Sequence, residues 1–136
     1  MTDQYSGVSA ASFHEFLHAH FPVAVAMQVT VDSYTDDEVV LRAPLAANRN
    51  IHETGFAGSL YSLGALAGWG LVHGWLDRTR RGATLLIGRG EITYRRPVRD
   101  EFTATSSVKD NRYRTAFLEA VSRRERAELE LEAAIT

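Results

Sequence analysis

Between Gly58 and Leu76 the chain carries no charged side chain, and only Ser59, Tyr61, Ser62 and His73 break an otherwise apolar or small-residue run. A segment this long and greasy must be a helix shielded from water on most sides. Two settings provide that. A bilayer would need ~20 apolar residues in a row, and Gly64 and Gly68 have the small-xxx-small spacing of membrane helix pairs. The core of a water-soluble protein would bury the same helix under other elements. The polar interruptions and the strand-like patterns on both sides favour the core. Gly64, Gly68, Gly70 and Gly74 lie inside this helix, each costing up to ~1 kcal/mol relative to alanine. Close approach of a sheet to the helix backbone is the simplest offset.

The flanks supply such a sheet. A short helix comes first: Ser12 and Glu15 have capping-box spacing, Phe13, Phe16 and Leu17 share a face, and Pro22 ends it. Val25, Met27, Val29 and Val31 then alternate with more polar or smaller residues, as in a strand. A polar turn at Thr35–Glu38 leads to a second strand over Val39–Ala43, with Pro44 at its end. Ala46–Ala57 has no clean period and reads as a loop. After Asp77 the period is two. Strands are expected over Ala83–Val98, with bends at Gly88 and Gly90, over Phe102–Lys109 and over Tyr113–Arg123. In Glu128–Glu132 the residue types favour helix and the strict alternation favours strand; the alternation is taken as decisive. The order is helix, two strands, long buried helix, four strands. This predicts one α+β domain over residues 1–136: a hotdog fold, in which an antiparallel sheet wraps a long central helix.

Composition narrows the function. A net charge of −2 argues against general nucleic-acid binding. The absence of cysteine removes disulfides, a thiol nucleophile and thiolate metal sites. The N-terminal residues show neither the basic nor the apolar region of a secretory signal, so the expected location is the cytoplasm. His14 and His18 share a helical face near His20 but lack a third ligand, so no metal is expected.

Two stretches carry a more specific pattern. Asn48-Arg49-Asn50-Ile51-His52-Glu53-Thr54-Gly55-Phe56-Ala57-Gly58-Ser59 combines two asparagines, a Thr-Gly and a Phe-x-Gly-Ser, with Trp69-Gly70 further along. Tyr94-Arg95-Arg96-Pro97-Val98 ends a strand in Tyr-x-x-Pro. Together they resemble the thioesterase domain found at the C-terminus of YiiD-type bacterial acetyltransferases, within the hotdog thioesterase superfamily. The resemblance implies a homodimer, with pairing into tetramers left open. It also implies thioesters of coenzyme A or an acyl-carrier protein as ligands, coenzyme A entering only as part of the substrate. The alternative is an acyl-CoA-binding protein without catalysis. Neither a nucleic-acid nor a membrane partner is expected.

Thioester hydrolysis needs a group to polarise the carbonyl and a base or nucleophile. Gly55 and Gly58 bracket the start of the helix, where free N–H groups and the helix dipole can face an oxygen. A simple turn into the helix needs the same glycines. Related enzymes often place a carboxylate on this helix; here it has none. Glu53 is the only acid between Glu38 and Asp77, and it is the candidate base beside a solvated-loop reading. Asn50, Thr54 and Ser59 complete the catalytic candidates, Ser59 being equally readable as a helix cap. Asn48, His52, Gly55, Phe56, Gly58, Tyr61 and Ser62 are candidate substrate contacts. Arg95 and Arg96 are candidates for phosphate, which a guanidinium fits well.

Overall fold

The computed structural model describes residues 9–136. Ser9 caps helix α1 (Ala10–His20): its hydroxyl accepts from the Ser12 N–H, and the Ser12 hydroxyl accepts from the Ser9 N–H. The capping box therefore lies one turn before the Ser12/Glu15 spacing. Pro22 ends α1 as expected but also opens a second helix, α2 (Pro22–Met27), because proline's missing N–H is harmless at a first helical position. The strand expected from Val25 is displaced as a result. Ala24 and Met27 are buried three apart, Val23 and Val25 face outward, and Gln28 closes α2 in a left-handed conformation. Strand β1 (Thr30–Tyr34) starts only after that.

Thr35 builds the turn into β2 (Glu38–Ala43), its hydroxyl accepting from the N–H groups of Asp37 and Glu38. A loop leads to the long helix α3 (Ala57–Arg78). Then come β3 (Phe102–Ser107), helix α4 (Asn111–Ser122) and β4 (Ala133–Ile135). The sheet is antiparallel throughout, in the order β1-β2-β3-β4.

Among the described residues it has four strands, not six. Residues 83–98 form no ladder among the described residues, although Leu85, Ile92 and Val98 pack on the core. Residues 111–122 are helical where a strand was expected. Asp110 caps them by accepting from the Arg112 N–H, and Phe117, Leu118 and Val121 gather on one helical side. That spacing satisfies a period of 3.6 as well as the alternation seen in the sequence. The last ladder falls at Ala133–Ile135, just beyond the expected Glu128–Glu132. The alternation there still sets orientation: Leu129 and Leu131 face the core, while Glu128, Glu130 and Glu132 are exposed.

The packing of α3 explains its glycines. The helix lies across β2, β3 and β4, and α1 covers another side. A methyl at Gly70 would sit 2.6 Å from the Phe13 ring, and one at Gly74 would sit 2.8 Å from the Tyr34 hydroxyl. These two rings stack 4.1 Å apart, and the Tyr34 hydroxyl donates to the Gly70 carbonyl at 2.8 Å. Aromatic rings, rather than sheet backbone, therefore demand glycine. A methyl added at Gly64 or Gly68 would find its nearest neighbours at 3.6 Å and 3.7 Å, ordinary contact distances. No helix among the described residues is long and apolar enough to cross a membrane.

Candidate active site at the start of the long helix

The loop before α3 is folded on itself by Asn50. Its side-chain oxygen accepts from the N–H groups of His52 and Thr54 at 2.8 and 3.1 Å, and its amide nitrogen donates to the Thr54 hydroxyl at 2.9 Å. Glu53 takes a left-handed backbone conformation, φ 61°, at the tip. The loop then returns beside itself, with Arg49 bridged to Gly55.

Two bonds fasten a distant segment across this loop. The Gly55 N–H donates to the Val98 carbonyl at 2.7 Å, and the Tyr94 hydroxyl donates to the Ala57 carbonyl at 2.8 Å. A methyl at Gly55 would meet the Val98 side chain at 3.0 Å, so the strap fits closely only because residue 55 has no side chain. Between loop, helix and strap lies an open cleft of about 320 Å³, lined by residues including Asn50, Thr54, Gly55, Tyr94, Arg95 and Arg96.

The first turn of α3 borders this cleft through Ala57 and Leu60. Phe56 occupies the cap position without a side-chain bond. The N–H groups of Ser59 and Leu60 are both taken by the Phe56 carbonyl. Those of Ala57 and Gly58 have no acceptor among the described residues. They are free donors at the positive end of a long helix.

The expected residues therefore separate into groups. Asn50, Thr54, Gly55, Arg95 and Arg96 meet in the cleft. Ser59 is the third helical residue rather than the cap, and it is buried. Asn48 is buried too, and its amide nitrogen donates to the carbonyls of Met27 and Pro44 at 2.9 and 2.8 Å, tying α2 and β2 to the loop. Its side-chain oxygen has no partner among the described residues. His52 is exposed. Glu53 is 81% exposed at the side chain and lies 3.8 Å from Arg49. Phe56 lays its ring over Gly58, and Tyr61 and Ser62 follow on the first turns of α3, Tyr61 packing its hydroxyl against Gly90. Leu60, Tyr94, Pro97 and Val98 also line the cleft and were not among the site candidates. The Tyr-x-x-Pro pattern was the one signal available for three of them.

Chemically, the cleft offers a free main-chain donor at Ala57, a hydroxyl, an amide and two guanidinium groups. None of its lining residues is a carboxylate or an imidazole. Such a site can bind and polarise a carbonyl next to an anionic group.

An antiparallel sheet packed on a long glycine-bearing helix, with the cleft at that helix's first turn, is the hotdog fold. The chain belongs to the family described as "Putative thioesterase (yiiD_Cterm)", whose model matches residues 10–136. Among solved structures it is similar to a protein of unknown function from Chlorobaculum tepidum TLS, at 29% identity and a TM-score of 0.87, covering 93% of this chain and 77% of that one. It is also similar to the "putative thioesterase" from Shewanella oneidensis, at 28% identity and a TM-score of 0.82, covering 98% and 87%. A "Probable Thioesterase" from Pseudomonas aeruginosa shares the fold at 20% identity and a TM-score of 0.73, covering 93% and 83%.

Proposed function

We propose that this chain hydrolyses acyl thioesters, carried on coenzyme A or on an acyl-carrier protein, in the cleft at the start of α3. The carrying observation is that Ala57, whose N–H is free at the helix start, lines one cleft with the guanidinium groups of Arg95 and Arg96. The thioester oxygen lies against the N–H groups of Ala57 and Gly58, which stabilise the negative charge it gains. Asn50 and Thr54 hold the attacking water. Its oxygen bonds to the carbonyl carbon while Glu53, turned from Arg49, takes its proton. The carbon–sulfur bond then breaks, the leaving sulfur takes the proton back from Glu53, and a thiol and a carboxylic acid are released. Ser59, Gly55, Phe56, Tyr61 and Ser62 border the acyl group, and Arg95 and Arg96 meet the phosphate of the carrier. Asn48 and His52 shape the loop that presents these groups.

The test is release of free thiol, followed with a chromogenic reagent across acyl chain lengths. The chain has no cysteine, so it contributes no background. Absence of turnover on every chain length, at high protein concentration, defeats the reading.

One observation favours a second reading, acyl binding without hydrolysis. The loop's own acid, Glu53, is exposed beside Arg49, and the cleft lining has no base. Thermal stabilisation by an acyl-CoA with no thiol released selects this alternative.

The working unit in either case is a homodimer. No backbone group from 83 to 97 pairs with another backbone group of the described chain. Leu86 and Ile87 on this segment are 81% and 52% exposed. The apolar stretch around Leu86 and Ile87, short of the Tyr94–Arg96 end, invites pairing with a second copy.

A further inference from the structure

The rim of the cleft carries two exposed residues, Ile51 and Arg99, that the cleft chemistry leaves unused, next to others that it uses. Ile51 stands at the loop tip 91% exposed, and Phe56 and Tyr94 at the mouth are each about half exposed. Isoleucine is costly to leave in water at a loop tip, where polar residues serve the turn equally well. Beside this apolar rim, Arg95, Arg96 and Arg99 are all exposed, and none lies within ion-pair distance of a carboxylate among the described residues. The chain as a whole is slightly acidic, so this is a local concentration of positive charge. Asp100, which follows it, uses its carboxylate to accept from the Glu101 N–H.

The cleft itself, at about 320 Å³, is at the small end for sites that enclose a whole ligand. It has room for a thioester and part of its pantetheine arm. A nucleotide at the far end of that arm would lie outside, where the arginines suit its phosphates but the exposed isoleucine gives it nothing. A protein at the far end would cover both the apolar rim and the arginines. Basic rims of this kind fit an acidic partner and speed its encounter.

We propose that the natural carrier is an acidic acyl-carrier protein, which docks on Ile51 and on the Arg95, Arg96 and Arg99 patch while its phosphopantetheine arm enters the cleft. This rests on the thioester reading above.

The experiment compares one acyl group, decanoyl, on an acyl-carrier protein and on coenzyme A. The carrier-protein thioester should have a kcat/KM at least about tenfold higher, and that advantage should shrink as salt rises through ~0.5 M. Ile51→Ser and Arg99→Glu lie outside the cleft lining. Each should cut kcat/KM for the carrier-protein substrate by about tenfold or more, with a much smaller change for the coenzyme A substrate. Equal rates on both carriers, with the two variants affecting both alike or neither, overturn the proposal while leaving hydrolysis intact. If neither thioester is turned over, the hydrolytic reading fails. Docking is then judged by calorimetric titration of the decanoyl-loaded carrier protein: salt-sensitive binding weakened by the same two variants upholds it, and no binding overturns it.

Discussion

At the level of single residues, the four glycines of α3 do two different things. Gly70 and Gly74 face rings that cannot move: Phe13 is 1% exposed, and Tyr34 is buried with its hydroxyl bound to the helix. Gly64 and Gly68 face side chains at ordinary contact distance. Gly70→Ala should therefore destabilise the fold by ~1–3 kcal/mol through overpacking. Gly64→Ala should be neutral or stabilising by up to ~1 kcal/mol, since a methyl fits and the unfolded chain loses freedom. Chemical denaturation of the two variants measures both. Opposite signs are expected; the same sign for both would mean that the rings do not set the requirement. Asn48 carries a similar lesson. It looks like a site residue in sequence because it sits beside Asn50, yet its amide is spent on two main-chain carbonyls.

Between elements, α1 is held to α3 by a ring stack. His73 lies 4.7 Å from both Phe16 and Trp69, nearly parallel to Trp69, and Phe21 meets the edge of Trp69. Burial disfavours the charged imidazole and holds the His73 pKa below its usual value; the nearby Asp77 opposes this and Arg78 reinforces it. A histidine with a lowered folded pKa binds its proton more readily when unfolded. Its contribution to stability is full above the ordinary value of about 6.5 and declines as pH falls from there toward the folded pKa. Unfolding free energy should therefore drop between pH 7.5 and pH 5. Replacing His73 with Phe should flatten that dependence while keeping the stack. An unchanged pH profile in His73→Phe would assign the loss to other groups.

The same scale shows why the end of α2 and most of α4 read as strand in the sequence. In 25–27 and 113–122 the apolar residues that alternate also belong to sets three and four apart, so one pattern serves both periods. Pro22 at a first helical position and the Asp110 cap tip the balance.

For the whole molecule, the segment 83–97 is the exposed liability. Its backbone groups have no backbone partner among the described residues, so its amide hydrogens should exchange rapidly in dilute protein. If two copies pair there, exchange should slow as concentration rises, in step with a doubling of mass by sedimentation. Rapid exchange at every concentration, with a sedimenting monomer, would place any interface elsewhere.

Some of this was settled by local order in the chain. The charge-free run from Gly58 fixes a buried helix, and the alternation over 39–43 and 102–107 fixes two central strands. The residue types around Asn50, Thr54 and Gly55 mark where chemistry gathers. These are legible because period and turn chemistry act between near neighbours. The cleft was not. It exists because the Val98 carbonyl reaches the Gly55 N–H and the Tyr94 hydroxyl reaches the Ala57 carbonyl, pairings between residues some forty positions apart that no local pattern encodes. The same folding turned Glu53 outward to Arg49 and enclosed Asn48 and Ser59. Which polar groups face a ligand is decided by packing across the chain, because only packing determines which side of each segment keeps its water.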